Sequence, residues 1–266
     1  MHTFFMKQLL YKYLLKDFTI DFSQIDCFAL LTCAVEQKIE GLLYKKIYSN
    51  RQLDTLPKVI KKQLYINYVY NFQKNKVYLL ELEKVKLNLC VQNIPIVPER
   101  GVYLIDNVYE DIAVRYMEDI DITAMLCDFE KIKAVLESYE YKLTLVNDEK
   151  VTLPIQQTAI QSCLFVKTKN LVFPLPFVKI DILFVQKKDF YLHNSTTEKF
   201  LRLCRNIYNS INIKNPSNCR LDKLLDIIYF IRQYPSLETN VLNNKAYNNV
   251  PEIIYLKDCL EFYDSI

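Results

Sequence analysis

The chain has 266 residues, 51% of them hydrophobic, and its 34 lysines and arginines against 31 acids give a formal charge of +3. That is enough apolar material for one large or two small globular domains, and it excludes a chain too polar to fold. The charges are scattered rather than massed, which excludes bulk electrostatic binding to nucleic acid or lipid and leaves only local basic patches.

The eight cysteines include no Cys-x-x-Cys pair and lie mostly among apolar residues, so they read as reduced core thiols of a cytoplasmic protein, not a disulfide or zinc framework. No apolar run reaches membrane-spanning length, and the lysine-broken N-terminus lacks a cleavable leader pattern. The two histidines are His2, near the start, and His193, in a loop-like Tyr-Leu-His-Asn-Ser. A zinc cluster of histidines is thereby excluded, and a Ser-His-Asp triad has almost nothing to draw on.

Residues 1–50 predict two or three short helices. One apolar stripe comprises Leu9, Leu10, Tyr13 and Leu14, and a second Phe28, Leu31, Ala34 and Val35. Gly41 reads as a helix junction or a point of close packing. From Pro57, suited to a helix start, no glycine or proline intervenes until Pro95. Ile60, Leu64, Tyr68 and Phe72 share a face, continued after a small drift by Leu79, Leu82, Val85 and Leu89, so this is a helix of roughly nine turns. Its tyrosines could stack on bases, but at this spacing they read as core or as an interdomain face.

A short strand over 94–97 leads to Glu99-Arg100-Gly101, and a short helix over 102–108 would place Gly101 at a strand-to-helix turn, where backbone amides can face a phosphate. Residues 118–125 predict a strand. Alternation along it puts Asp119 and Asp121 on one face and Ile120 in the core. Two carboxylates about 4–6 Å apart repel by about 3–4 kcal/mol at an effective dielectric of roughly 20, so the pair invites a cation, magnesium first. The plainer reading is a solvent-facing edge strand with two ordinary acids. Glu118 and Asp111 read as solvated.

Asp128 can cap a helix reaching Tyr139, and residues 141–146 return as a strand. Residues 150–186, rich in Thr, Val, Ile and Phe, read as sheet. Within 177–185, Val178, Ile180 and Ile182 share one face and Lys179, Asp181 and Leu183 the other. Asp181 is an acid in a largely apolar strand, so it must reach solvent, a cation or a partner. Helices follow over 198–207, 221–234 and 252–263, with Asn-rich loops between them and an exposed loop at 243–249.

The run Gly101…Tyr109…Arg115…Asp119-Ile-Asp121, with the following helix and the strand from Tyr139, resembles the signature of an uncharacterised bacterial nucleotidyltransferase family of the polymerase-beta-like superfamily. A Gly-Leu-Leu-Tyr stretch before it, Asp181-Ile-Leu after it and a Leu-Leu-Asp-Ile-Ile helix at 224–228 extend the resemblance over most of the chain. It implies an α+β fold, a polymerase-beta-like mixed sheet flanked by N-terminal and C-terminal helices. The expected regions are a helical 1–92, a catalytic core 93–190 and a helical 191–266, with the two helical regions forming opposite walls of a cleft.

The implied activity moves a nucleoside monophosphate from an NTP, ATP by default, to a hydroxyl acceptor, releasing pyrophosphate. Asp119, Asp121 and Asp181 would be catalytic and would bind magnesium, or manganese in its place, at a two-ion site. Arg100, Gly101, Val102 and Arg115 would contact the nucleotide. The acceptor (protein, peptide, RNA or small molecule) and any protein partner stay open. Val102 supplies no hydroxyl where the superfamily commonly has serine, Arg100 stands where lysine is common, and no histidine follows Asp181. A catalytically silent NTP-binding or regulatory module on the same fold is therefore the alternative reading, with a metal-dependent nuclease behind it.

Overall fold

The computed structural model describes residues 2–16, 18–150, 160–171, 174–210 and 215–265. They form ten α-helices and one mixed sheet, as expected for an α+β chain. The expected sheet residues at 151–159 and 172–173 lie outside the described set.

The residues group into two compact units. The first comprises 1–72, 108–116 and 200–266, and the second 73–107 and 117–199. The three consecutive regions expected from the sequence follow a different division.

In the first unit, α1 (His2–Leu15), α2 (Cys27–Glu36) and α3 (Glu40–Ser49) realise the expected short helices. Asp26 caps α2 by accepting the Phe28 and Ala29 amides, both at 3.0 Å. The buried stripe of α2 is Cys27, Leu30, Cys33 and Ala34, while Phe28 and Val35 are exposed, which corrects the sequence reading by one position. Cysteine there packs as a small apolar residue. Gly41 lies in the first turn of α3, where an added Cβ would sit 2.3 Å from the Ala113 carbonyl oxygen, so it is a glycine of close packing.

α8 (Thr196–Asn209), α9 (Leu221–Gln233) and α10 (Pro251–Asp264) match the expected C-terminal helices, and the 243–249 loop is mostly exposed around one 3₁₀ turn, Lys245–Tyr247. The two chain ends are not opposite walls of a cleft, because they pack on one another. Tyr11 stacks on Tyr263 with ring centroids 4.9 Å apart, its hydroxyl donates to Asp264 at 3.1 Å, and Lys7 donates to the Ser217 carbonyl at 2.9 Å.

α4 (Lys58–Val91) is the uninterrupted long helix, its 34 residues spanning about 51 Å. It gives residues 58–72 to the first unit and 73–91 to the second. Ile60, Leu64, Leu82, Val85 and Leu89 are buried as expected, but Phe72 is exposed, and where the face drifts the polar Asn71, Lys74 and Asn75 are buried along with Val77 and Tyr78.

The sheet order is β1-β2-β6-β5-β3-β4. Its strands are β1 (Ile96–Pro98), β2 (Ile120–Met125), β3 (Lys142–Val146), β4 (Glu149–Lys150), β5 (Ser162–Lys167) and β6 (Val178–Val185). β2 lies between β1 and β6 and is buried along its whole length, so the edge-strand reading of the aspartates fails. Asn147 and Asp148, at φ 51° and 65°, form the two-residue turn joining β3 to β4.

α5 (Arg100–Asn107) follows β1, and α6 (Phe129–Ser138) follows β2; Phe129 meets Phe184 edge-on at 5.4 Å. Asp128 stands at the N-cap of α6 but its side chain makes no capping bond. His193, expected in a loop, ends a short helix, α7 (Lys187–His193), whose Phe190 clusters with Val97 and Met125.

Neither glycine has positive φ, and among the described residues eight others do. α2, α3, α4 and α6 each end on one: Lys38, Arg51, Asn93 and Glu140. In each, the next amide bonds back five residues, as Tyr141 does to the Leu136 carbonyl at 3.0 Å. These are Schellman caps built without glycine.

All eight cysteines are free thiols, six of them buried. Among the described residues no helix is long and apolar enough to cross a membrane.

Candidate active site

Parallel pairing of β2 with β6 sets Asp121 against Asp181 as register partners. Cross-strand partners point to the same side of a sheet, so the two carboxyls share a face. Asp121 is buried, at 8% exposure, and Asp181 half-buried. β2 begins at Ile120, so Asp119 occupies the bend just before the strand, and strict alternation from 118 does not place it. Its charge nonetheless reaches Asp181. Burial pushes the Asp181 carboxyl up; the Arg100 guanidinium pulls it down, Asp119 and Asp148 push it up, and the balance is upward.

Arg100 reaches this cluster because of how β1 ends. The Glu99 amide donates to the Asp121 carbonyl at 2.9 Å, continuing the β1–β2 ladder, and Glu99 itself is buried and accepts the Thr123 hydroxyl at 3.0 Å. Arg100 then takes φ 42°, a left-handed value that helps turn the chain into α5. The left-handed residue is thus Arg100, and not the adjacent Gly101. Its Nη1 donates to Asp121 Oδ1 at 2.9 Å, with 44% of the side chain exposed.

Gly101 and Val102 lie in the first turn of α5, as the strand-to-helix reading expects. Val102 turns its side chain into the core, at 1% exposure, so only its backbone could serve a phosphate. Lys199 adds a second cation at this end of α5, donating to the Pro98 carbonyl at 3.2 Å and standing 4.4 Å from the Tyr103 ring centre.

Three aspartates are hard oxygen donors suited in kind to magnesium. Among the described residues, however, no group of three or more His, Cys, Asp and Glu is gathered closely enough to hold a metal ion. Arg100 supplies the positive charge against Asp121 instead. The donor chemistry fits a divalent ion on the condition that Arg100 swings off Asp121, which its exposed side chain permits.

Arg115, expected at the nucleotide, is placed differently. It belongs to the first unit, where Nε donates to Asp226 at 2.9 and 3.2 Å, Nη2 donates to Asp226 at 2.8 Å, and Nη1 donates to the Tyr116 carbonyl at 3.0 Å. Tyr109 donates its hydroxyl to the same carboxylate at 2.9 Å. Burial pulls the Arg115 guanidinium down, but Asp226 outweighs it and holds the pKa above its ordinary value. Every guanidinium nitrogen has an acceptor, so the fork that would grip a phosphate is already filled. Arg115 stands here as a partly buried structural cation.

Asp111 is likewise not solvated. It accepts the Tyr68 hydroxyl at 2.6 Å, the Ala113 amide at 2.9 Å and Lys45 at 3.0 Å, whereas Glu118 is exposed as read.

Three residues that join these charge networks were given no role from the sequence. Asp226 is a lone acid between Leu225 and Ile227 on a buried helix face, the same signal that exposed Asp181. Asp148 joins the acids around Asp181 because Val-Asn-Asp-Glu is a hairpin turn between strands. Lys199 carried no signal beyond its charge.

Residues 23–248 match the model of a family described as an uncharacterised nucleotidyltransferase. A search of curated proteins finds no match.

Proposed function

We propose, for a chain that belongs to an uncharacterised nucleotidyltransferase family, that Asp119, Asp121, Asp181 and Arg100 form the centre of a magnesium-dependent transfer of NMP from an NTP to a hydroxyl acceptor. The observation that carries this is the register pairing of Asp121 with Asp181 beside the Arg100 guanidinium. In the reaction a bond forms between the acceptor oxygen and the α-phosphorus, the bond to the bridging oxygen of pyrophosphate breaks, and the acceptor loses a proton.

Arg100 leaves Asp121 for the triphosphate, where a guanidinium binds phosphate oxygens through two donors. The amides of Gly101 and Val102, at the positive end of α5, face the same charge. Asp181, with its pKa raised, is a stronger base than an ordinary carboxylate and takes the acceptor proton. Magnesium held by Asp119, Asp121 and Asp181 would neutralise phosphate charge and polarise the phosphoryl oxygens.

The test is calorimetric titration of each NTP with magnesium into the wild type and into an Asp119→Ala/Asp121→Ala variant, followed by pyrophosphate release with candidate acceptors. Magnesium-dependent NTP binding is expected in the wild type and lost in the variant, and single replacements at Asp119 or Asp121 abolish turnover while the fold stays intact. No NTP binding by well-folded wild type, or unchanged turnover in either single variant, overturns the assignment. The Arg100–Asp121 ion pair, a cation already seated on the acid that should hold metal, favours the silent NTP-binding module as second reading. Tight NTP binding without pyrophosphate release from any acceptor would select it.

A further inference from the structure

The scattered charge of the whole chain conceals one local concentration. Between positions 45 and 62 stand six basic residues, Lys45, Lys46, Arg51, Lys58, Lys61 and Lys62, and one acid, Asp54. All belong to the first unit, on α3, the start of α4 and the turn between them. Asp54 is held by Lys61 at 2.6 Å, and Lys45 is engaged with Asp111, so the excess of positive charge lies with the remaining four.

The same two helices carry an outward aromatic cluster. Tyr44 touches three rings, those of Tyr48, Tyr65 and Tyr68, with centroids at 6.2, 5.9 and 4.8 Å. Tyr48 and Tyr65 are 59% and 53% exposed, so the core reading of this tyrosine stripe does not hold at Tyr65. Lys61 and Lys62 precede Tyr65 by one helical turn and Lys58 by two, on the same side of α4. Lys61 is close enough to Tyr44 for its charge to act on the phenol.

We infer that this tyrosine and lysine face of α3 and α4 is a binding platform for single-stranded RNA. Two exposed rings of one cluster, with cations flanking them, suit a polymer of stacked bases on an anionic backbone, and each exposed ring has a face that accepts any base. An acidic protein surface would satisfy the lysines but leave the rings without planar partners, and a duplex hides its bases. The inference goes beyond the nucleotidyl-transfer proposal and does not depend on it, since the acids around Asp121 take no part.

The test uses the full chain in EDTA without NTP, so that its failure is separate from failure of the catalytic proposal. Anisotropy of a labelled, unstructured single-stranded RNA of about 12 nucleotides is followed as salt rises from about 50 to about 200 mM. Binding is expected, weakening with salt, retained by the Asp119→Ala/Asp121→Ala variant, and weaker for the corresponding duplex. Tyr48→Leu/Tyr65→Leu should raise Kd by about tenfold or more. Tyr48→Phe/Tyr65→Phe, which keeps both rings, should stay within about threefold of wild type by the same stacking logic. Lys58→Glu/Lys62→Glu should weaken binding and flatten its salt dependence.

Absence of binding at the lowest salt, a leucine variant that binds like wild type, or a duplex bound as tightly as the single strand overturns the inference. So does light scattering that shows a wild-type dimer lost in the leucine variant, since the face would then be a contact between two copies.

Discussion

Replacing Asp226 with leucine would strand Arg115. Three donor–acceptor contacts of 2.8–3.2 Å vanish at once, the Tyr109 hydroxyl loses its acceptor, and a guanidinium with 16% of its side chain exposed keeps its charge but loses its principal counterion. Removing one partner of a buried ion pair costs about 3–5 kcal/mol. The orphaned tyrosine hydroxyl belongs to the same network, so its loss does not add in full. Against a total stability of about 5–15 kcal/mol, a loss of about 4 kcal/mol is a large fraction. Urea denaturation followed by circular dichroism should show it as a lower midpoint. The double variant Arg115→Met/Asp226→Leu removes both charges and should regain most of the loss, because well-packed apolar residues replace a buried pair at little net cost. If the single variant loses less than about 1 kcal/mol, as an exposed pair would, or if the double variant is no more stable than either single one, the buried structural role of Arg115 is wrong.

Two further outcomes follow from the same unit. Gly41→Ala places a methyl carbon 2.3 Å from the Ala113 carbonyl oxygen, backbone that cannot swing aside, so a loss of about 2–3 kcal/mol is expected from overpacking. A melting temperature equal to wild type would show that α3 and the 108–116 segment do not approach so closely. At Asp111, burial raises the carboxyl, but the Tyr68 hydroxyl, the Ala113 amide and Lys45 outweigh it and leave the pKa below the ordinary 3.8. For an acid so depressed, the stabilisation is full above the unfolded-state value and lost as pH falls through the folded-state value. The stability difference between wild type and Asp111→Asn should be largest near neutral pH and shrink below about pH 4. A difference independent of pH across that window would mean the carboxylate charge contributes nothing.

Much of the fold was legible because its signals are local. A run without glycine or proline from 58 to 94 could only be a long helix, and alternation in 178–185 put Ile180 and Ile182 inside and Asp181 on the other face. What was not legible depends on distant partners or on atoms that leave no composition signature. The level pairing of Asp121 with Asp181 joins residues sixty positions apart. Arg115 meets Asp226 across 111 positions, and nothing near Arg115 separates a structural carboxylate from a substrate phosphate. The phosphate-turn reading rested on Gly101, yet the unusual backbone belongs to Arg100, whose side chain gives no warning of a positive φ. The α2 stripe was misplaced because its buried positions are half cysteine.

The interleaving of the two units has a temporal consequence. During synthesis every residue of the second unit has been made by position 199, whereas Tyr11 of α1 waits 253 positions for Asp264 of α10. At about 5–20 residues per second that interval is on the order of 10–50 s. Throughout it Tyr11 lacks the Tyr263 ring and the Asp264 carboxylate, while Tyr13 on the same helix has its partners, Phe22 and Gln52, within the first fifty-odd residues. The contact between α1 and α10 is therefore among the last in the first unit to form, and the Tyr11 side of α1 is where a chaperone that holds unfolded segments would act longest.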